Sequence, residues 1–159
     1  MPMSIRLPLP PSVNSYWQRT FHGGMCVGAA GRAYREKVRI AVFERFGPVR
    51  RSAKALAIEV DVTNSKQWPA DLDNVRKALY DSLCAAGLFW DDAQVMQDAG
   101  RIVAVDGRGF VDVRIHGIGS FDSLPEYARK KVMLAIKGID LGRKPRKSSK
   151  VVASKRRRK

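Results

Sequence analysis

The sequence predicts an α+β fold: a single domain whose mixed or antiparallel sheet is packed by two helices, followed by a C-terminal helix and a disordered basic tail. Three observations lead there. Leu56, Ile58, Val60 and Val62 alternate strictly with less apolar neighbours, the signature of a half-buried strand. A stripe of Leu72, Val75, Leu79 and Leu83 follows at helical spacing. After Gly142 the chain turns almost entirely to Lys, Arg and Ser, a composition that cannot bury a core. The expected segments are a domain over 1–118, a helical extension over 119–141 and the tail over 142–159.

In chain order, Ile5, Leu7 and Leu9 alternate into a first strand that Pro8, Pro10 and Pro11 confine to a sheet edge. Residues 13–20 and 24–28 read as short extended pieces around His22-Gly23-Gly24. From about Ala30 to Phe46 the pattern is helical, with Ala33, Val38, Ala41 and Val42 on one face, and Gly47-Pro48 ends it. The strand over 55–62 is followed by a loop, a helix over about 72–86 stopped by Gly87, and strands near 94–105 and 109–117. The link Asp106-Gly107-Arg108-Gly109 suits a hairpin between those last two. Ser123-Leu124-Pro125-Glu126 reads as a capping box opening a third helix over 124–137.

The net charge is +15, and it is unevenly placed. Residues 120–159 hold 14 Lys/Arg against three acidic residues, a net of +11, so the body is close to balance. Such an excess points to a polyanionic partner, nucleic acid being the commonest. Cys26 and Cys84 lack metal-site spacing, and reduced thiols in the cytoplasm are the simple reading. No apolar run approaches the ~18 residues of a membrane span, and the proline-rich N-terminus does not read as a signal peptide. His22 and His116 are isolated.

Against that basic background, the acidic residues gather in two places: Asp71-Leu72-Asp73-Asn74 at the start of the second helix, and Asp91-Asp92 just after it. The helix between them spans about 20 Å, so the two places meet only if the following strand folds back along it. Clustered carboxylates repel one another unless a cation is present, and oxygen-only ligands suit Mg²⁺, with Mn²⁺ as a substitute. Such an ion activates water toward a phosphodiester. Blander roles stand beside this one. Asp71 can be an N-cap, Asp73 a charge favourable to the helix dipole, and Asp73, Lys77 and Asp81 an exposed ladder of ion pairs. Trp68, Phe89 and Trp90 read as core residues or as platforms for an unstacked base. An EF-hand is excluded, because Val75-Arg76 follow DLDN without the required glycine.

Over roughly residues 5–117 the chain resembles the RusA family of Holliday-junction resolvases. The resemblance is carried by LPLPPSVNSYW, AGRAYREKV, DLDNVRKALYDSL and GLFWDDAQV. It implies a homodimeric, Mg²⁺-dependent endonuclease making paired symmetric nicks in four-way DNA junctions, bacterial or phage-encoded. It also implies that Asp71, Asp73 and Asp92 are the essential metal-binding aspartates, that Lys77 is catalytic, and that Asn74 and Lys77 contact DNA. Gln67-Trp68-Pro69-Ala70 stand where a better-known relative carries arginines, and the basic C-terminus is the expected substitute. Two rivals remain: a non-catalytic nucleic-acid-binding protein whose aspartates are only caps, and a DxD-type transferase holding a nucleotide-sugar through Mn²⁺.

Overall fold

The computed structural model describes residues 2–66 and 71–138. It is an α+β fold built on a four-stranded mixed sheet. The strands are β1 (Met3–Pro8), β4 (Ala55–Ser65), β5 (Val95–Asp106) and β6 (Phe110–Gly119), in the order β1-β6-β4-β5. A two-stranded ribbon, β2 (Trp17–Arg19) with β3 (Met25–Val27), stands apart from it. The helices are α1 (Val13–Tyr16), α2 (Ala29–Phe46), α3 (Leu72–Ala85) and α4 (Glu126–Ile136).

The alternation that marks β4 does what its period requires. Leu56, Ile58, Val60 and Val62 are all buried, and they meet Ile5 and Leu7 of β1, Val111, Val113 and Ile115 of β6, and the inner faces of α2 and α3. Val75, Ala78, Leu79 and Leu83 supply the inner face of α3, as its spacing predicts. On α2 the buried stripe is Gly31, Tyr34, Val38 and Val42. Ala33, expected on that face, is exposed instead. Tyr34 takes its place because the ring fills the core while its hydroxyl donates to the Pro8 carbonyl at 3.0 Å. A Cβ on Gly31 would come within 2.6 Å of the Tyr16 carbonyl oxygen, so glycine is what lets α1 lie against α2.

Two expectations are corrected. The final strands do not form a hairpin: β5 and β6 flank β4, β5 running parallel to it and β6 antiparallel. α3 supplies the crossover that a parallel β4–β5 pair needs, which leaves the antiparallel side of β4 for β6. The 106–109 link therefore arches over the end of β4, held by the Asp106 carboxylate, which accepts from the Arg108 and Gly109 amides at 2.7 Å each. The second correction concerns local caps. Residues 13–16 form a short helix capped by Ser12 and not an extended piece, and α4 begins after Pro125 at its N-cap with no side-chain cap bond. The Ser123 hydroxyl donates to the Ser120 carbonyl instead.

The C-terminal helix is not a free appendage. Leu124, Ala128 and Val132 are buried with Ala55 in a second small core, around which Ala53, Trp90, Ala93, Met96 and Phe121 pack. The segment expected as a disordered tail, 142–159, lies outside the described residues, as does Trp68. No helix among the described residues is long and apolar enough to cross a membrane.

Candidate active site

The two acidic groups flagged by the sequence lie at opposite ends of α3. Asp71 is the N-cap residue, but only its backbone caps: its carbonyl accepts from Val75 N–H at 3.0 Å, and its carboxylate makes no cap bond. That carboxylate lines a cleft with Asn74, Ser12, Ser15, Ser65 and Arg108, beside Pro10 and Pro11. Asp73 is 75% exposed and pairs with Arg76 at 3.5 Å. Arg76 also reaches Asp98 of β5 at 3.3 Å.

At the other end of the helix a second pocket is lined by Trp17, Lys77, Asp81, Cys84, Trp90, Asp91 and Asp92. Lys77 and Asp92 thus share one pocket, and Asp71 and Asn74 share the other. The strand after Asp92 does fold back along α3. Gly100 faces Leu72 and Arg76, and the Tyr80 hydroxyl donates to Asp98 at 2.7 Å. But Asp92 precedes that strand, and β5 starts opposite Leu56, at the far end of α3. So a single chain does not bring Asp71 and Asp73 to Asp92. Among the described residues, no group of three or more His, Cys, Asp or Glu is arranged to hold a metal ion.

Asp92 opens a short 3-10 turn, Asp92–Gln94, which is fixed from both ends. The Asp91 carboxylate accepts from Ala93 N–H at 2.9 Å, and the Gln94 side-chain carbonyl accepts from Trp90 N–H at 2.8 Å and Asp91 N–H at 3.1 Å. The Gln94 amide then donates to the Ser52 and Lys54 carbonyls, both at 2.9 Å. Gln94 is wholly buried and satisfies four backbone groups at once. Sequence reasoning missed it, although Asp91-x-x-Gln94 is a capping-box pattern.

The electrostatics of this pocket are those of crowded carboxylates. Partial desolvation, then a hydrogen bond and charge repulsion from Asp91, hold the Asp92 carboxyl above its usual range, while Lys131 and the Ala93 amide pull it back down. Asp92 is nonetheless solvent-accessible. Burial, with Asp92, Asp91 and Asp81 nearby, pushes the Cys84 thiol well up, so it stays protonated and is no nucleophile.

Asp81 is committed elsewhere. It accepts from Arg35 Nε at 2.9 Å and from the Tyr16 hydroxyl, and Tyr16 also takes a bond from Arg35 at 2.9 Å, which ties α1, α2 and α3 together. The ladder through Asp73, Lys77 and Asp81 therefore does not exist: each aspartate has an arginine, and no carboxylate among the described residues lies within ion-pair distance of Lys77. Phe89 is fully buried, a core residue. Trp90 lies under Arg51, 4.9 Å from its ring centre, and keeps part of its surface on the pocket, as does Trp17.

A mixed sheet backed by two helices, with adjacent carboxylates and a lysine in one pocket of a strongly basic chain, has the character of an enzyme that works on a phosphodiester. Residues 8–115 match the family described as endodeoxyribonuclease RusA, and the chain belongs to that family of DNA-hydrolysing enzymes. It is 37% identical over 93 residues to crossover junction endodeoxyribonuclease RusA of Escherichia coli K12, covering 58% of this chain and 76% of the relative. The protein of the same name from Shigella sonnei is 36% identical over 93 residues, and that of Enterobacteria phage 82 is 35% identical over 92. The matched stretch takes in both pockets.

Proposed function

We propose that this nuclease resolves four-way DNA junctions in recombination and repair by paired symmetric nicks, as an Mg²⁺-dependent homodimer in the cytoplasm. The observation that carries the reading is the meeting of Asp92 and Lys77 in one pocket of a chain with net charge +15. The names of its relatives point to crossover junctions as the substrate.

The Asp91–Asp92 pair fits a magnesium ion, which needs only one or two carboxylates when water and substrate phosphate fill the remaining positions. Bound there, Mg²⁺ would polarise the phosphodiester and lower the pKa of an attacking water. The protein's own groups do the rest. Lys77 meets the scissile phosphate as a point charge and offsets the repulsion between DNA and an acidic pocket. The Gln94-locked turn holds Asp92 in place before substrate arrives. Asn74 donates to the backbone beside Asp71.

Asp71 and Asp73 join this site in the homodimer, the N-terminal end of one protomer's α3 facing the Asp92 pocket of the other. Their separation within one chain supports this arrangement, and two-fold symmetry matches the substrate. The strand over 55–62 is the buried centre of the sheet. The edge strand β5, with Ile102, Val103 and Val105 each about half exposed, is the better face.

Cleavage of a synthetic immobile junction, beside linear duplex of the same sequence, tests the substrate. Mixing an Asp71→Asn/Asp73→Asn chain with an Asp92→Asn chain tests the assembly. Shared sites regain nicking in the heterodimer, whereas sites built within one chain stay dead. Asp92→Asn protein that cuts junctions at the wild-type rate would remove the basis of the proposal.

A further inference from the structure

α4 lies beyond residues 8–115 that match the family, yet it is packed directly on the turn that carries Asp92. Ala128 and Val132, one helical turn apart, are fully buried, and Leu124 is 2% exposed. They sit with Ala55 among Trp90, Ala93 and Met96, residues on both sides of Asp92. This anchoring fixes the flank of the helix on which Lys131 stands. The Lys131 ammonium lies 3.8 Å from Asp91 Oδ1, the same oxygen that accepts from Ala93 N–H. Asp91 is therefore held from two directions, by the turn's own backbone and by a cation brought from outside the matched domain.

We propose that Lys131 is a positioning residue of the active site: it holds the Asp91 carboxylate in the cap that fixes the turn under Asp92, the carboxylate that shares a pocket with Lys77. α4 is the brace that delivers it. The need is set by the local charges. Two adjacent carboxylates repel, and the other nearby cations are engaged differently, Lys77 across the pocket and Arg51 over Trp90. With Lys131 absent, the lowest-energy escape is rotation of Asp91 out of its cap, which loosens the turn under Asp92. Lys130, its neighbour, cannot substitute, being paired with Glu126 at 2.7 Å.

This inference rests on the reading of Asp92 as a site residue, and the experiment separates the two. In the full chain, Lys131→Met, Lys131→Arg and Asp92→Asn are each measured for single-turnover cleavage of a four-way junction, for junction Kd and for thermal melting. Lys131→Met is expected to slow cleavage about tenfold, the lower end of what loss of a ligand-orienting partner costs, with Kd and Tm unchanged. A half-exposed ion pair adds little stability, so a merely structural role would not move the rate. Lys131→Arg is expected to recover most of the activity. If Asp92→Asn is dead but Lys131→Met cuts like wild type, the positioning role is wrong and the site stands. If Lys131→Met weakens Kd with an unchanged rate, Lys131 is a phosphate contact and the proposal is overturned. Full activity in Asp92→Asn would sink the site reading itself.

Discussion

Lys77 and Asp92 line the same pocket although half of α3 and a loop separate them in the chain. Lys77 stands in the middle of the helix, on the face that also carries Asp81 and Cys84 into the pocket. The turn Asp92–Gln94 curls back under that end because β5 must start beside Leu56. The pairing thus follows from the parallel register of β5 on β4, and from no local feature of either residue.

Lys77 is the sharpest test of the pocket. It is exposed and forms no ion pair among the described residues, so Lys77→Ala removes no salt bridge there. Cleavage is expected to fall by about 100-fold or more, the scale on which a single electrostatic donor to a transition state is lost. Thermal melting should stay within about 1 °C of wild type. An alanine variant that both melts and cuts like wild type would make Lys77 an ordinary surface residue.

Asp92 predicts a trade of stability for function, with a definite pH dependence. Its folded-state pKa is raised by desolvation first and by Asp91 next, so the folded protein ionises it less readily than the unfolded chain does. The ionised carboxyl is therefore destabilising, fully so once the pH is above the raised folded value. The penalty fades as the pH falls toward the ordinary value of 3.8 and below. Asp92→Asn should raise Tm slightly at pH 7–8 in metal-free buffer, because the side chain keeps solvent contact, and by progressively less in acid, while in Mg²⁺ it should abolish cleavage. Melting curves across pH check it, and a variant less stable at neutral pH would contradict the assigned strain.

Gln94 should matter to folding and catalysis together. Gln94→Ala leaves two buried carbonyls and two amides without their partner, and each lost bond leaves a desolvated group that costs about 1–3 kcal/mol. Water entering the vacated space recovers part of that, so a net loss of about 2–4 kcal/mol is expected from denaturant unfolding. Gln94→Glu keeps the two acceptor bonds but sets a carboxylate oxygen against the Ser52 and Lys54 carbonyls in a wholly buried site, and should cost at least as much as alanine.

The basic C-terminus, read from sequence alone, makes a separate prediction. Truncation after Gly142 removes ten Lys/Arg. If three or four of them meet phosphates, the slope of log K against log salt on duplex should flatten by about 3 units, at ~0.9 per contact. Preference for junction over duplex should change little, because phosphate contacts position without reading structure. An unchanged slope would assign the segment to another partner.

Much of this was legible in the residues. The period of two in β4 and of 3.6 in α3 report which side chains must leave water, and that demand is local, so the elements and the core followed from it. The resemblance in DLDN and GLFWDD located the acidic residues for the same reason: both are short, contiguous blocks. What the sequence could not state was strand order. Asp106–Gly109 has the composition of a hairpin turn, and the same residues serve equally well to arch over β4. The choice was made by the α3 crossover, which places β5 parallel to one side of β4 and leaves the other side to β6. That long-range register, an outcome of pairing both edges of one central strand, puts Asp92 beside Lys77, holds it apart from Asp71 and Asp73, and brings Lys131 to Asp91. Periodicity is written residue by residue, whereas the meeting of distant charges is a by-product of how the core closes, so only the tertiary structure decided it.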